Sequence, residues 1–303
     1  MLTGIRNAVI IHNPLAGRGR RRRAHQLEQA RRILAGAGIE AALQATSASG
    51  DATALARRAV AEGRDLVIVC GGDGTVNEAV NGLAGSQVPL AVLPAGTANV
   101  LAKELRIPRS IPQAAEVMLR STLRRVAVGL AAGAQAQRYF LSLAGAGPDA
   151  AIVHEVSLAA KSRVGILAYW AEGFRQFYVY RFPVFRVKAD GRELAATQVL
   201  VGRTKHYGGP FRITTAADLF EDAFELAVNT SRSRLRYLSY LPAAWLGRLR
   251  SKPTMHFFKA RVARCEPLGE EPVYAQVDGE PIGALPVEFS IVPDALTLVV
   301  PKH

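Results

Sequence analysis

The five residues Leu66-Val67-Ile68-Val69-Cys70 run without a polar side chain into Gly71-Gly72-Asp73-Gly74-Thr75-Val76-Asn77-Glu78, and a helix-like Ala79-Val80-Asn81-Gly82-Leu83 follows. An unbroken apolar run of this length reads as a strand buried on both faces. Three glycines at its carboxyl end let the backbone turn sharply and approach a ligand. Open α/β sheets bind nucleotides at that place. Glycine amides with no Cβ in front of them, followed by the positive end of a helix dipole, can cradle a phosphate. No Gly-Lys-Ser/Thr follows, which excludes a Walker loop, and Gly71, Gly72 and Gly74 miss the dinucleotide spacing. Asp73 would repel a bare phosphate, so it is expected to accept from ribose or a nearby side chain, or to act through a cation. Taken alone, the same residues also describe a plain strand-to-helix turn with an Asp cap.

The segments around this stretch repeat its pattern. Ala8-Val9-Ile10-Ile11-His12 reads as a strand ending in the turn Asn13-Pro14-Leu15-Ala16-Gly17, a second phosphate-facing loop. Apolar residues at three- and four-residue spacing predict a helix over 21–35, stopped by Gly36 and Gly38. A strand over 39–45 ends at Thr46-Ser47, and Gly50-Asp51 opens a helix that reaches Gly63. Pro89-Leu90-Ala91-Val92-Leu93 makes a fourth strand and enters Pro94-Ala95-Gly96-Thr97-Ala98-Asn99. Strands alternating with helices predict a parallel, doubly wound sheet with its loops gathered at one edge.

After a helix over 113–119 the pattern changes. Runs at 124–130, 138–143, 182–187 and 197–201 read as strands without regular helices between them, so a strand-rich second domain is expected from about residue 125. One long helical candidate spans 150–180, interrupted near Lys161-Ser162-Arg163. It carries Trp170, Phe174, Phe177 and Tyr178 beside Arg163, Arg175 and Arg181. Such a stretch either holds an apolar ligand or covers the second domain's sheet. Tyr207-Gly208-Gly209-Pro210-Phe211 reads as a tight turn. Asp218, Glu221, Asp222 and Glu225 form an acidic segment that is either a plain surface turn or a site for a hard cation. Tyr274-Ala275-Gln276-Val277 runs into Asp278-Gly279-Glu280, a sequence common in ordinary hairpins.

The 303 residues carry a formal charge of +13, which calls for an anionic partner: nucleic acid, anionic lipid or nucleotide phosphates. Apart from Arg18-Gly19-Arg20-Arg21-Arg22-Arg23, the basic residues are dispersed. Cys70 and Cys265 suggest neither a disulfide framework nor a zinc site, which fits a reducing cytosol. The first residues do not resemble a signal peptide, and no run of eighteen apolar residues occurs. A spanning helix is therefore not expected, while peripheral contact with a bilayer stays open.

Four motifs in order, Asn13-Pro14-x-x-Gly17, Gly71 through Glu78, Leu93-Pro94-x-Gly96-Thr97-x-Asn99 and Val277-Asp278-Gly279-Glu280, resemble the diacylglycerol kinase catalytic domain family. Its soluble bacterial lipid kinases resemble the chain most, with sphingosine and ceramide kinases as cousins. The resemblance covers nearly the whole chain. It implies a Rossmann-like α/β nucleotide domain, 1–125, and an antiparallel β-sandwich-like lipid domain, 126–303, whose last strand, about 290–303, can return to the first domain. In the cleft between them ATP would give its γ-phosphate to a lipid hydroxyl. By the same resemblance ATP would lie on Asn13, Pro14, Ala16, Gly17, Thr46, Gly71, Gly72, Asp73, Gly74, Thr75, Asn77, Gly96 and Thr97. Mg²⁺ would bind the carbonyls of Leu219 and Phe224 with Asp222, and Asp278 or Glu280 would be the base. A lipid alcohol is a poor nucleophile, so a carboxylate must take its proton as attack proceeds. The rest of phosphoryl transfer is positioning and charge neutralisation.

Relatives usually carry Gly-Phe-Asp-Ala where this chain has Gly147-Pro148-Asp149-Ala150, and Asp-Asp-Gly where it has Glu221-Asp222-Ala223. The first departure bears on the lipid pocket and the second on the cation turn. The expected setting is cytoplasmic and peripheral to an anionic membrane; a homodimer is compatible and nucleic acid is not expected as a partner. Competing readings are a sphingosine- or ceramide-type kinase, an NAD kinase or phosphofructokinase relative, and a non-catalytic lipid or nucleotide sensor.

Overall fold

The computed structural model describes residues 4–14, 16, 20–160, 180–207 and 211–302. The chain divides into two compact units, Met1–Val128 with Pro293–His303, and Gly129–Val292.

In the first unit the elements alternate as β1 (Asn7–His12), α1 (Arg20–Gly36), β2 (Glu40–Ala45), α2 (Asp51–Ala61), β3 (Leu66–Gly71), α3 (Asp73–Leu83), β4 (Leu90–Pro94), α4 (Val100–Glu104) and α5 (Ile111–Leu119). The strands lie in the order β2-β1-β3-β4, all parallel. Strand β3 is buried at every residue. Its Leu66, Ile68 and Cys70 join one core cluster with Leu27 and Leu34 of α1 and Ala114 and Met118 of α5, while the intervening Val67 and Val69 are equally buried towards the opposite face. Two covered faces are why the run contains no polar residue. Helices α2 and α3 pack together, with Thr53 donating to the Glu78 carbonyl at 2.8 Å. The last strand, β18 (Val287–Val300), pairs in parallel with β4 through Leu298 and Leu90.

The second unit is built from strands. After β5 (Thr122–Gly133) come β6 (Gln137–Phe140), β7 (Leu143–Ala146), α6 (Pro148–Ala160), β8 (Phe185–Ala189), β9 (Arg192–Ala196), β10 (Gln198–Gly202), β11 (His206–Tyr207), β12 (Phe211–Arg212) and β13 (Phe224–Asn229). Then follow α7 (Arg234–Trp245), β14 (Met255–Ala260), β15 (Val262–Pro267), β16 (Tyr274–Val277) and β17 (Glu280–Ala284). One antiparallel sheet has the order β14-β13-β10-β7-β16-β17; in the other layer β15 pairs with the start of β18 and with β8, which pairs with β9. Val201, Leu226 and Val277 from the first layer meet Phe185, Cys265 and Phe289 from the second in one core, the packing of a sandwich.

Three expectations change. The run over 138–143 is not one strand: it breaks at Leu141-Ser142, and its halves, β6 and β7, pair in different sheets. The helix expected over 150–180 begins at Pro148 and is α6 as far as Ala160; residues 161–179, with the aromatic cluster, lie outside the described residues, as does 208–210 of the tight turn. The strand expected from Phe182 starts at Phe185, because Phe182 takes φ 52°, outside the extended region. Helix α7 was not expected at all.

Gly82 of α3 faces α2 so closely that a Cβ there would sit 2.6 Å from both the Ala56 Cβ and the Thr53 carbonyl. Alanine is intrinsically the better helix former by about 1 kcal/mol. Overpacking of this kind costs about 1–3 kcal/mol and outweighs that gain. Gly82→Ala is therefore expected to destabilise the protein, read as a lower midpoint in urea at unchanged slope.

Candidate active site

Parallel pairing brings the carboxyl ends of four strands to one edge: His12 is level with Ala45 and Cys70, and Gly71 with Pro94. The loops leaving those ends are tied together by main-chain bonds. Asn13 N donates to the Cys70 carbonyl at 3.2 Å, Thr46 N to His12 O at 2.9 Å, Ala95 N to Gly71 O at 3.0 Å and Ala16 N to Asn13 O at 3.2 Å. Thus Asn13, Thr46, Gly71 through Thr75 and Gly96 share one edge, with Pro14, Ala16 and the exposed Thr97 in the same loops; Gly17 lies outside the described residues. Asn77 is one turn further into α3 and buried, its carbonyl and Oδ1 accepting from Asn81 Nδ2.

Glycine is required here by contact. A Cβ on Gly71 would stand 2.7 Å from the Thr75 Cβ, and one on Gly96 would stand 2.5 Å from the Gly72 Cα. The β3–α3 and β4–α4 loops therefore touch backbone to backbone. Asp73 locks that contact: its two carboxylate oxygens accept from Asn99 N at 2.9 Å and Val100 N at 2.6 Å, at the start of α4. Its protein partners are main-chain amides of the neighbouring loop rather than a nearby side chain. Asn99, at φ 48°, completes the loop by pairing its amide with Gly96 N and Gly96 O at 2.9 and 2.8 Å. Exposed Gly74 and half-buried Gly72 leave main chain open at the N-terminus of α3, a ready anion site. His12 at the same edge is held below its ordinary pKa by burial. Burial pushes the Cys70 thiol up to about 12, which removes it from chemistry.

In the second unit Asp278 and Gly279 join β16 to β17 with φ 47° and 86°, both left-handed, the two-residue turn that an Asp-Gly pair favours. The Asp278 carboxylate accepts from Leu143 N at 2.8 Å and Leu141 N at 3.2 Å, and its own N–H donates to Leu143 O at 2.8 Å. These bonds break the 138–143 run into two strands. Among the described residues nothing pairs with the half-buried Glu280 carboxylate.

Behind the turn lies a polar group of which the sequence had marked only Asp149, within Gly147-Pro148-Asp149-Ala150. Gln276 Oε1 accepts from Gly279 N at 2.9 Å, and Gln276 Nε2 donates to Asp149 Oδ2 at 3.1 Å; Gln198 Nε2 donates to Asp149 Oδ1 at 3.2 Å. Burial raises the pKa of Asp149 against the opposing pull of those two amides. His154, one turn along α6, stacks on Tyr274 with centroids 3.9 Å apart.

The acidic segment holds Leu219 and Asp222 in the loop before β13, and Phe224 is the first residue of that strand. Its carbonyls do not wait for a metal: Arg203, fully buried, donates from Nη2 to Leu219 O at 2.8 Å and from Nη1 to Ala223 O at 2.8 Å and Glu221 O. No cluster of three potential side-chain metal ligands occurs among the described residues. A divalent ion sharing the Leu219 oxygen would stand about 5 Å from the guanidinium, a repulsion of roughly 6 kcal/mol at an effective dielectric near 20. The loop in this conformation does not fit a resident Mg²⁺.

Comparison with known proteins settles the family. Residues 7–131 match the family model of the diacylglycerol kinase catalytic domain, and residues 142–300 that of the YegS C-terminal NAD kinase beta sandwich-like domain. A diacylglycerol kinase of Bacillus subtilis (strain 168) is 30% identical over 99% of this chain and 98% of its own. One from Staphylococcus aureus (strain bovine RF122 / ET3-1) is 32% identical over 94% and 89%. The chain belongs to the diacylglycerol kinase family. It is a lipid kinase, as the four motifs implied. Its fold is similar to the crystal structure of a diacylglycerol kinase from Bacillus anthracis str. Sterne, with TM-score 0.75, 23% identity and 98% of both chains aligned.

The raised pKa of Asp149 has a sign. In the native kinase the carboxyl holds its proton more tightly than in the unfolded chain, where its pKa is about 4. The stability it contributes is present below that pH and lost as pH rises through the raised native value. Asp149→Asn is expected to remove this loss, so its stability relative to the parent should climb as pH rises from about 4 and then level off. Urea denaturation at a series of pH values measures it; a difference that does not vary with pH contradicts the assignment.

Proposed function

We propose that this kinase transfers the γ-phosphate of ATP to the free hydroxyl of diacylglycerol, with Glu280 as the general base. Support for the donor comes from the edge of the first unit's sheet, where glycine loops fixed by Asp73 leave amides open at the start of α3. Asn13, Pro14, Ala16, Gly17, Thr46, Gly71 through Thr75, Gly96 and Thr97 would line the nucleotide. Asn77 would act from inside the helix, by fixing its first turn. Mg²⁺ would enter with ATP. Support for the acceptor comes from the names of the relatives, which are diacylglycerol kinases.

The single observation that carries the choice of base is the contrast between two neighbouring carboxylates. Asp278 spends acceptor positions on Leu141 N and Leu143 N, which fixes the turn. Glu280 spends none on the described residues and can accept a hydroxyl proton. Turnover with γ-labelled ATP, Mg²⁺ and detergent-dispersed diacylglycerol, read as label in the organic phase, tests this. Glu280→Gln is expected to lower kcat by about 10²–10⁴ at unchanged thermal stability. Asp278→Asn is expected to lower both activity and stability. No label in the parent protein refutes the donor or acceptor, and a fully active Glu280→Gln refutes the base.

The site of work would be an anionic membrane surface. Among the described residues no helix is long and apolar enough to cross a bilayer. Helix α7 instead buries Tyr240, Ala243 and Ala244 against its own sheet and turns Leu235, Leu238, Leu241 and Trp245 outward, with Leu235 78% and Trp245 62% exposed. Around them in sequence stand the exposed Arg232, Arg234, Arg236 and Arg248, while Arg250 is paired with Glu225; the chain has no carboxylate between Glu225 and Glu266. An apolar stripe flanked only by cations suits an interface of anionic lipid. The double variant Leu235→Ser/Trp245→Ser is expected to sediment at least tenfold less with phosphatidylglycerol vesicles, while neutral phosphatidylcholine vesicles bind neither form. Unchanged sedimentation overturns this assignment of the surface, and salt-insensitive binding overturns the part given to charge.

A further inference from the structure

Among the described residues the largest fully buried side chain is a cation, Arg203, immediately after β10. A buried charge persists only where partners replace its water. Here the partners are the main-chain oxygens of Leu219, Glu221 and Ala223, which converge on two nitrogens of one planar group. The charges of Asp222, Asp218 and Glu221 act on it from the same loop. Convergent carbonyls with negative charge in the same loop are what a hard cation gathers around itself. We infer that the Arg203 guanidinium is the resident cation of the 218–225 loop, ordering it in place of a bound divalent metal.

Several observations support this role. An arginine guanidinium is effectively always charged in a protein, so the loop has a cation built in. The backbone delivers it accurately: Arg203 N donates to Ser142 O at 2.8 Å, and Gly202 lies where a Cβ would meet Thr214 Oγ1. A guanidinium also suits the task better than an ammonium, because its rigid fork reaches several carbonyls at once. The bond to Ser142 has a consequence if Glu280 is the base. Ser142 stands between the two residues whose amides hold Asp278, so the cation loop and the Asp278 turn lean on one tripeptide.

The test uses the whole protein without nucleotide and does not read turnover, so it stands whether or not the kinase reading of the substrates holds. Thermal unfolding of the parent is expected at the same Tm in EDTA and in millimolar Mg²⁺ or Ca²⁺. Mn²⁺ titration followed by electron paramagnetic resonance is expected to find no site that Asp222→Asn removes. Arg203→Asn leaves the carbonyls without a cation: its Tm should fall in EDTA and recover in part with Mg²⁺ or Ca²⁺, and a Mn²⁺ site dependent on Asp222 should appear. An Asp222-dependent Mn²⁺ site in the parent overturns the inference. So does an Arg203→Asn protein that keeps the parent's Tm in EDTA. If that variant cannot be produced folded, the Mn²⁺ titration of the parent decides alone.

Discussion

The pairing of the Asp73 carboxylate with the amides of Asn99 and Val100 is the constraint on which the first unit's ligand edge depends. Two loops that leave adjacent parallel strands would each be free to relax, because loops carry few apolar contacts of their own. Asp73 joins them by hydrogen bonds to a charged acceptor, each worth about 1.5–3 kcal/mol. The close approach of Gly72 to Gly96 is the steric counterpart of that electrostatic tie. A carboxylate satisfied by main-chain amides no longer repels a phosphate at the start of α3 as a free one would, which reconciles an acidic residue with a phosphate loop.

The second unit uses the same device. Asp278 holds Leu141 and Leu143 as Asp73 holds Asn99 and Val100, in both cases a carboxylate on a turn clamping amides distant in sequence. Behind it, Gln276 links the turn to Asp149 by donating with one end of its amide and accepting with the other. Glu280 stands outside these ties. The division of labour follows from lone pairs: carboxylates that fix geometry have spent theirs, and the one that has not is available for a proton.

Much of the first unit was legible because burial on both faces leaves a mark that one sequence can show: Leu66 through Cys70 could hardly be anything but an inner strand, and the glycines after it marked the tight turn into α3. The partner of Asp73 was not legible, since a main-chain amide at position 99 or 100 has no residue type to betray it. In the second unit the apolar pattern of 138–143 is continuous, and the break comes from Asp278, far along the chain; local periodicity cannot register such a bond. Helix α7 escaped because its outward leucines spoil the usual segregation of polar and apolar faces. Arg203 escaped for a statistical reason, arginine being almost never fully buried unless paired.

That last residue changes how the charge of +13 should be understood. Total charge suggests one property, attraction to an anion, but the cations of this chain are not equivalent. Glu266 engages Lys188, Arg264 and Arg186 on the outward face of β15 and β8, where salt screens the attraction and little stability results. In the carboxylate-free region from 226 to 265, Arg250 and Arg264 are paired with Glu225 and Glu266, but Arg232, Arg234, Arg236 and Arg248 are exposed with no carboxylate near them in sequence, and their field reaches solvent. Arg203 contributes little to that field, because the charges of Asp222, Asp218 and Glu221 oppose it and water does not reach it. A charge in that position acts on the fold alone. Counting it among the residues that draw a membrane or a nucleotide would assign to the surface a cation whose work is done inside.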